Sequence, residues 1–352
     1  MTPAGTALSL TDLADGGGLL ALDDTGVPVG PLAVIDLTGG GALAPEVLAR
    51  ALAAATASNR VLVGRTDLPL DPRLAPLAAA LSCTLTSSAA DLDRTCVHVP
   101  DVELALDAIT ALTGRSPLAA VSLVGLLRLT HQVPVADGLV AESFAYSMLL
   151  AGPEFARWRS ARPRREVLAV RTEPVHLDRR DDALTITLNR PERHNAYGRA
   201  VRDALVEALA VAVHDRTVTT VHLRGAGPSF CSGGDLEEFG TAPDVVAAHV
   251  IRQERSAAAL LHLLADRTVA HLHGTCIGAG LELPAFARTV VAHPGSGFQL
   301  PELAMGLVPG AGGSVSVPAR IGRWRTAYLV LSGVRVDAAT ALRWGLVDRL
   351  AD

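Results

Sequence analysis

The chain contains no lysine, and all 31 of its basic residues are arginine. Beside abundant Ala, Leu, Val and Gly, this reads as the coding bias of a GC-rich genome. It also removes Schiff-base and lysine general-base catalysis, which need an amine that is not there. Aromatic residues are 3% of the chain and give no hint of an aromatic acyl pocket. The four cysteines, Cys83, Cys96, Cys231 and Cys276, are scattered and form no C-x-x-C pair. In a chain of this length they are expected to be reduced thiols, not a disulfide frame or a zinc site, and no metal is expected. No block of like charge exists: the net charge of −5 comes from interspersed signs, unlike a basic nucleic-acid footprint. The most apolar run, PLAAVSLVGLLRL at 117–129, is too short to span a bilayer and contains Arg128. The N-terminus carries Asp12 and Asp15 and no cationic stretch ahead of an apolar one, so no signal peptide is expected. The expectation is a soluble, cytoplasmic protein with neither a nucleic-acid nor a membrane partner.

What is present is core material and glycine. With 352 residues and 49% hydrophobic content, the chain has enough for one large or two ordinary domains. Residues 1–30 are rich in Gly and Asp and read as irregular. From there the text alternates: AVIDL as a strand, 44–57 as a helix, RVLVGR at 60–65 as a strand, a helix around 72–81 and a strand around 82–86. Such alternation predicts a parallel sheet with crossover helices. Residues 101–165 read as wholly helical. The charged, Pro-punctuated stretch 162–182 reads as a connector.

A second α/β system begins at ALTITLNRP (183–191), followed by an amphipathic helix at 199–215 and the strand TVHLRG at 220–225. That strand runs into the bend SFCSGGDLEE (229–238). Helical text covers 243–265. The strand TVAHLHG (268–274) then feeds a second bend, GTCIGAGLELP (274–284). A weak internal repeat links 33–65 with 184–225 in order and spacing, as any two strand–helix–strand units would.

Each bend alone is an ordinary turn. Glycine permits sharp bends and close approach of backbone N–H groups to a ligand, and the start of a helix favours an anion. Glu282 in a first helical turn and Glu302 after Pro301 are each explained by structure alone. The informative feature is the set: two small-residue bends, two acids 20 positions apart (302 − 282), and the loop PGAGGS (309–314), in that order.

On five motifs the stretch from about 183 to 350 resembles the enoyl-CoA hydratase/isomerase, or crotonase, superfamily. They are NRPERHNAY (189–197), SFCSGGDLEEF (229–239), HGTCIGAGLELPAFAR (273–288), FQLPELAMGLVPGAGGSVSVPARIG (298–322) and LSGVRVDAATALRWGLVD (331–348). The resemblance implies an α/β fold of the crotonase-like (ββα)n spiral type. It implies an oxyanion hole made by the N–H groups of Gly234 and Ala279. Ala279 stands where most of the family has Gly, so a positive φ there would be a strain. Glu282 and Glu302 match the family's hydratase glutamate pair. Ala196 and the segment Ser232, Gly234, Asp235 and Leu236 are implied to flank coenzyme A, which enters as part of the thioester substrate; no prosthetic group is implied. His194, His271 and His273 read as loop or packed histidines, and Cys231 and Cys276 as small buried side chains.

The implied function is syn-hydration of a 2-enoyl-CoA, or the reverse. The alternatives are another crotonase reaction (isomerisation, thioester hydrolysis, a biosynthetic dehydratase or oxygenase step) or a non-catalytic partner subunit. A homo-oligomer, trimer or hexamer, is implied too. Family members usually continue past the GLVD-like element with a helical tail, and residues 97–165 read like that tail. The implied domains are an irregular segment (1–30), a degenerate crotonase-like α/β half with a helical tail (31–165), a connector (166–182) and a catalytic domain (183–352). Nothing between 30 and 95 matches either bend, so the first half is not expected to be catalytic.

Overall fold

The computed structural model describes residues 7–89, 93–163, 173–242 and 244–351. Residues 1–6 of the segment read as irregular, and residues 166–172 of the connector, lie outside them. The Ser9 hydroxyl accepts from the Asp12 N–H at 3.1 Å while the Asp12 carboxylate accepts from the Ser9 N–H at 2.9 Å. This reciprocal cap opens helix α1 (Leu10–Asp12). An antiparallel hairpin, β1 (Ala21–Leu22) with β2 (Pro28–Val29), follows. The segment read as irregular therefore carries a capped helix and a hairpin.

Next come β3 (Leu32–Asp36), α2 (Pro45–Ala57), β4 (Val61–Thr66), α3 (Ala75–Ala80), β5 (Cys83–Thr86) and β6 (Cys96–His98). The four strands pair in parallel in chain order. Both faces of this sheet are covered. On β4, Val61 and Val63 point into the large core while Leu62 joins a smaller cluster with Leu10, Leu13, Ile35 and Leu77. Side chains alternate across a strand, so a doubly covered strand must be apolar at successive positions, as VLV is.

Four helices then run α4 (Val102–Arg115), α5 (Pro117–Thr130), α6 (Val135–Leu150) and α7 (Pro153–Ser160). Asp101 caps α4 through the Leu104 N–H at 3.0 Å. Buried Glu154 on α7 accepts from the Leu118 and Ala119 N–H groups at 2.8 and 3.0 Å, closing the start of α5. No single helix among the described residues is long and apolar enough to cross a membrane.

The second α/β system is β7 (Val175–Arg180), β8 (Ala183–Leu188), α8 (Arg199–His214), β9 (Thr220–Gly225), α9 (Val245–Glu254), α10 (Ala257–Leu263), β10 (Thr268–Leu272), β11 (Thr275–Ile277), α11 (Ala279–Glu282), β12 (Thr289–Ala292), β13 (Gly297–Gln299), α12 (Gly313–Ser332), β14 (Val336–Asp337), α13 (Ala338–Trp344) and β15 (Arg349–Leu350). Six strands form one sheet in the order β15-β12-β10-β9-β8-β7, parallel except for the hairpin of β7 on β8. The stretch read as a connector thus contributes an edge strand. A smaller sheet, β11-β13-β14, carries the second bend. The architecture is the expected mixed α/β fold with parallel sheets.

Helix α12 joins the two halves. The Arg323 guanidinium donates to the carbonyls of Leu81, at 3.2 Å, and of Ala79, and the Trp324 indole donates to Ala79 O at 3.1 Å. Helix α6 packs against α9, α10 and α12, which brings a helix from before residue 160 into the second α/β system.

Candidate active site

The two bends are parts of one structure. The Cys231 N–H donates to Thr275 O at 3.3 Å and the Ile277 N–H donates to Cys231 O at 3.1 Å, a parallel bridge between Cys231 and Cys276. The first bend is also tied to the motif at 189–197. Buried Asn195 donates its side-chain amide to the carbonyls of Ala226, Ser229 and Phe230 at 2.8, 2.9 and 3.0 Å, and its Oδ1 accepts from the Arg190 N–H at 2.8 Å. Asn195 has φ 55°, a conformation asparagine tolerates better than most residues.

The Tyr197 N–H donates to Gly233 O, and the Asp235 N–H to Tyr197 O. The intervening Gly234 N–H faces away from that bridge. Ala279 is the first residue of α11, where an N–H has no carbonyl one turn earlier to bond. Neither N–H has an acceptor among the described residues. The positive φ values fall one residue earlier on each bend, at Gly233 (96°) and Gly278 (51°). Ala279 is helical, so the strain that its alanine raised does not arise.

Both bends line a cavity of about 900 Å³, together with Glu282, Glu302, Tyr146 of α6 and Arg252 of α9. Both acids are buried. A side chain at Gly278 would meet Glu302 Oε1 at 2.9 Å and Glu282 Oε1 at 3.8 Å, so both carboxylates face the residue just before Ala279. Glu282 Oε2 accepts from the Ala311 N–H at 2.7 Å and the Gly313 N–H at 2.9 Å. Burial pushes Glu282 up to about 7, against the pull of those N–H groups. Burial, followed by the Glu282 charge, pushes Glu302 well above the ordinary carboxylate range. Glu302 Oε2 is buried without a hydrogen-bond partner among the described residues. Such an orphaned acceptor calls for an explanation, and an oxygen beside a cavity can take a donor from a water or a ligand.

Of the residues implied to flank coenzyme A, Ser232, Gly234, Asp235 and Leu236 line the cavity. Ala196 does not: it is buried behind Tyr197, its N–H donating to Arg193 O at 3.0 Å. The Asp235 carboxylate is already occupied, paired with Arg193 at 3.0 and 3.1 Å. The histidines stand apart from the cavity lining. His194 bonds the Ser229 hydroxyl at 2.8 Å, His273 bonds Gly227 O at 2.9 Å, and His271 bonds His222 at 3.0 Å across neighbouring strands.

The profile of the enoyl-CoA hydratase/isomerase family matches residues 179–351. The 2,3-dehydroadipyl-CoA hydratase of Escherichia coli is 33% identical over 172 residues, 49% of this chain and 67% of its own. The chain belongs to the enoyl-CoA hydratase/isomerase family. The 1,2-epoxyphenylacetyl-CoA isomerase of E. coli is 32% identical over 174 residues, 48% of this chain and 66% of its own. This hydratase/isomerase-family chain thus spans about two thirds of these relatives' length. Among solved structures, the enoyl-CoA hydratase of Thermoplasma volcanium shares 32% identity and a TM-score of 0.48, over 51% of this chain and 73% of its own.

The sequence reading missed what α6 contributes. Glu142 lies 37 residues before the family match (179 − 142). It is buried and accepts from the Gly312 N–H at 2.6 Å, the Ser314 N–H at 2.8 Å and the Ser314 hydroxyl at 2.7 Å. A side chain at Gly310 would lie 2.4 Å from the Tyr146 ring, so that ring packs on the same loop. The Arg252 guanidinium sits over the Tyr146 ring at 4.9 Å and donates to the hydroxyls of Ser143, at 3.1 Å, and Ser147. One signal was available: Glu142 is an acid inside the otherwise apolar text GLVAESFAYSMLL.

Proposed function

We propose that this protein adds water across the C2–C3 double bond of a 2-enoyl-CoA, or catalyses the reverse. The observation that carries the reading is the placement of two acceptor-free N–H groups, Gly234 and Ala279, beside two buried carboxylates facing the same cavity. As water adds to C3, charge collects on the thioester oxygen, and preorganised N–H donors stabilise that charge. The loss of one such donor costs about 3–4 kcal/mol of transition-state stabilisation. Glu282, held toward its ionised form by the Ala311 and Gly313 N–H groups, takes a proton from the attacking water. Glu302, held neutral by burial and by the Glu282 charge, gives its proton to C2 of the enolate. One proton is taken and one delivered, so the two carboxyls exchange roles and the reverse reaction uses the same groups.

The substrate enters as the CoA thioester, its pantetheine passing the 232–236 segment. Names of relatives support both hydration and isomerisation chemistry in this family. Retention of both glutamates favours hydration, which needs a base and an acid on one face of the double bond. The reading extends to a homo-oligomer in the cytoplasm: α6 and α9 expose Phe144, Met148, Val246 and Val250 together, and all four cysteines are free. The test is turnover of short and medium 2-enoyl-CoA thioesters, followed by loss of the conjugated-thioester absorbance. Glu282→Gln and Glu302→Gln should each lower kcat by roughly 10²–10⁴-fold, the usual worth of a general acid or base. Activity unchanged in both variants sinks the assignment of roles, and conversion to a shifted double bond would replace hydration with isomerisation.

A further inference from the structure

The loop between β13 and α12 is gripped from two sides. Along four consecutive residues the N–H groups alternate: Ala311 and Gly313 donate to Glu282, while Gly312 and Ser314 donate to Glu142. We propose that Glu142 is a positioning residue for the reaction, fixing this loop so that Glu282 keeps its two N–H donors and its aim. The inference rests on the hydration reading above.

The loop cannot hold that shape by itself. Its glycines are there because neighbours leave no room for a side chain: the Tyr146 ring lies against Gly310, the Phe286 ring against Gly312, and the Glu282 Cγ would lie 2.5 Å from a Cβ on Gly313. Glycine carries the largest backbone entropy to be lost on ordering. A carboxylate on Glu282 can face only the N–H groups on its own side. The other two, at a helix start, would lack partners without a second acceptor. Glu142 is that acceptor, and its two oxygens receive three donors, the Gly312 and Ser314 N–H groups and the Ser314 hydroxyl. Glu154 on the next helix closes the start of α5 in a similar way. What separates the two is that the N–H groups on either side of Gly312 hold a proposed catalytic carboxylate.

The experiment uses Glu142→Gln and Ser314→Ala in the full chain, with Glu282→Gln as control. Readouts are kcat, calorimetric binding of saturated butyryl-CoA, and amide hydrogen exchange of residues 311–314. A glutamine offers one acceptor where two N–H groups and a hydroxyl are received. Expected is a fall in kcat on the order of 10²-fold, the cost of misplacing a catalytic group by about 1 Å, with butyryl-CoA affinity within about twofold. Faster exchange at Ala311 and Gly313, which Glu142 does not itself bond, is expected too. Ser314→Ala, which removes one of the three donors and no charge, should act in the same direction by a smaller factor. It decides the matter if Glu142→Gln does not fold.

If Glu282→Gln is inactive while Glu142→Gln or Ser314→Ala keeps wild-type kcat and exchange, the inference is wrong and the hydration reading stands. A parallel loss of kcat and butyryl-CoA binding also overturns it, since that is the mark of general disruption. If the wild type turns over no 2-enoyl-CoA, the hydration reading falls, and exchange at Ala311 and Gly313 decides the coupling alone: faster supports it and unchanged overturns it.

Discussion

Cys231 and Cys276 face each other across a parallel β-bridge, and that bridge sets the spacing of the two bends. Gly234 lies three residues beyond one cysteine and Ala279 three beyond the other. Sequence order separates these N–H groups by 45 positions (279 − 234), so their convergence depends on short backbone contacts. Two independent ties hold the first bend: the bridge itself and the three carbonyls gathered by Asn195.

Gly280 packs directly against the bridge residue Cys231. A Cβ there would sit 2.2 Å from the Cys231 carbonyl oxygen, a backbone atom that cannot swing aside. Gly280→Ala should therefore push the bends apart. Overpacking of this kind costs roughly 1–3 kcal/mol, to be read as a lower midpoint in thermal unfolding. Activity should fall by on the order of 10²-fold, because both donors lose their relation to one oxygen. A variant with wild-type Tm and kcat would show that the bridge does not set the geometry.

Ala279→Gly makes the opposite case. Ala279 has helical backbone angles and uses only its N–H, while the left-handed conformation belongs to Gly278. Adding glycine should cost about 0.5–1 kcal/mol of stability through backbone entropy and leave kcat within a few-fold. A gain of activity above tenfold would mean that the alanine methyl obstructs the substrate. Gly278→Ala should inactivate, since it combines a positive φ with a clash against Glu302 Oε1.

The four thiols should be inert in the folded protein. Burial pushes Cys83 and Cys231 up to about 12 and raises Cys96 and Cys276 as well. The thiolate is the reacting species, so iodoacetamide at neutral pH should label none of them until denaturant is added. Rapid native labelling of Cys231 would mean that the bend opens to solvent.

Much of the second half was legible because its motifs are short, local and ordered. Strand ALTITL alternates buried and half-buried positions as written, and both bends sit where glycine clusters follow a strand. Three features were harder. Ser9 and Asp12 form a capping pair in S-L-T-D, but the surrounding glycines and aspartates read as irregular. Strand β7 is largely charged because it is an edge strand, so its text resembles a linker. Glu142 acts on a loop 170 residues away in sequence, a pairing that no local pattern encodes. Its only trace was an acid where an apolar helix face left no solvent for it.

Glu142, Glu282 and Glu302 should make the fold lose stability as pH rises. Burial raises Glu142, Glu282 and Glu302 above the value of 4.5 expected of an exposed glutamate. Above that value an unfolded chain has released protons that the folded protein still holds, so raising the pH favours unfolding. Their contribution is complete below about pH 4.5. It is lost as pH rises through about 7 for Glu282 and about 8 for Glu142. His222 and His271 act oppositely, since burial lowers both. Their contribution is present above the ordinary histidine value of 6.5 and fades as pH falls below it. The window from about pH 7 to 8.5 therefore reports the carboxyls. There the wild-type Tm should fall with pH, and Glu142→Gln, which removes one of the three titrating groups, should flatten the slope. A wild-type Tm that rises across that window, or a slope unchanged in Glu142→Gln, would show that Glu142 is already ionised throughout.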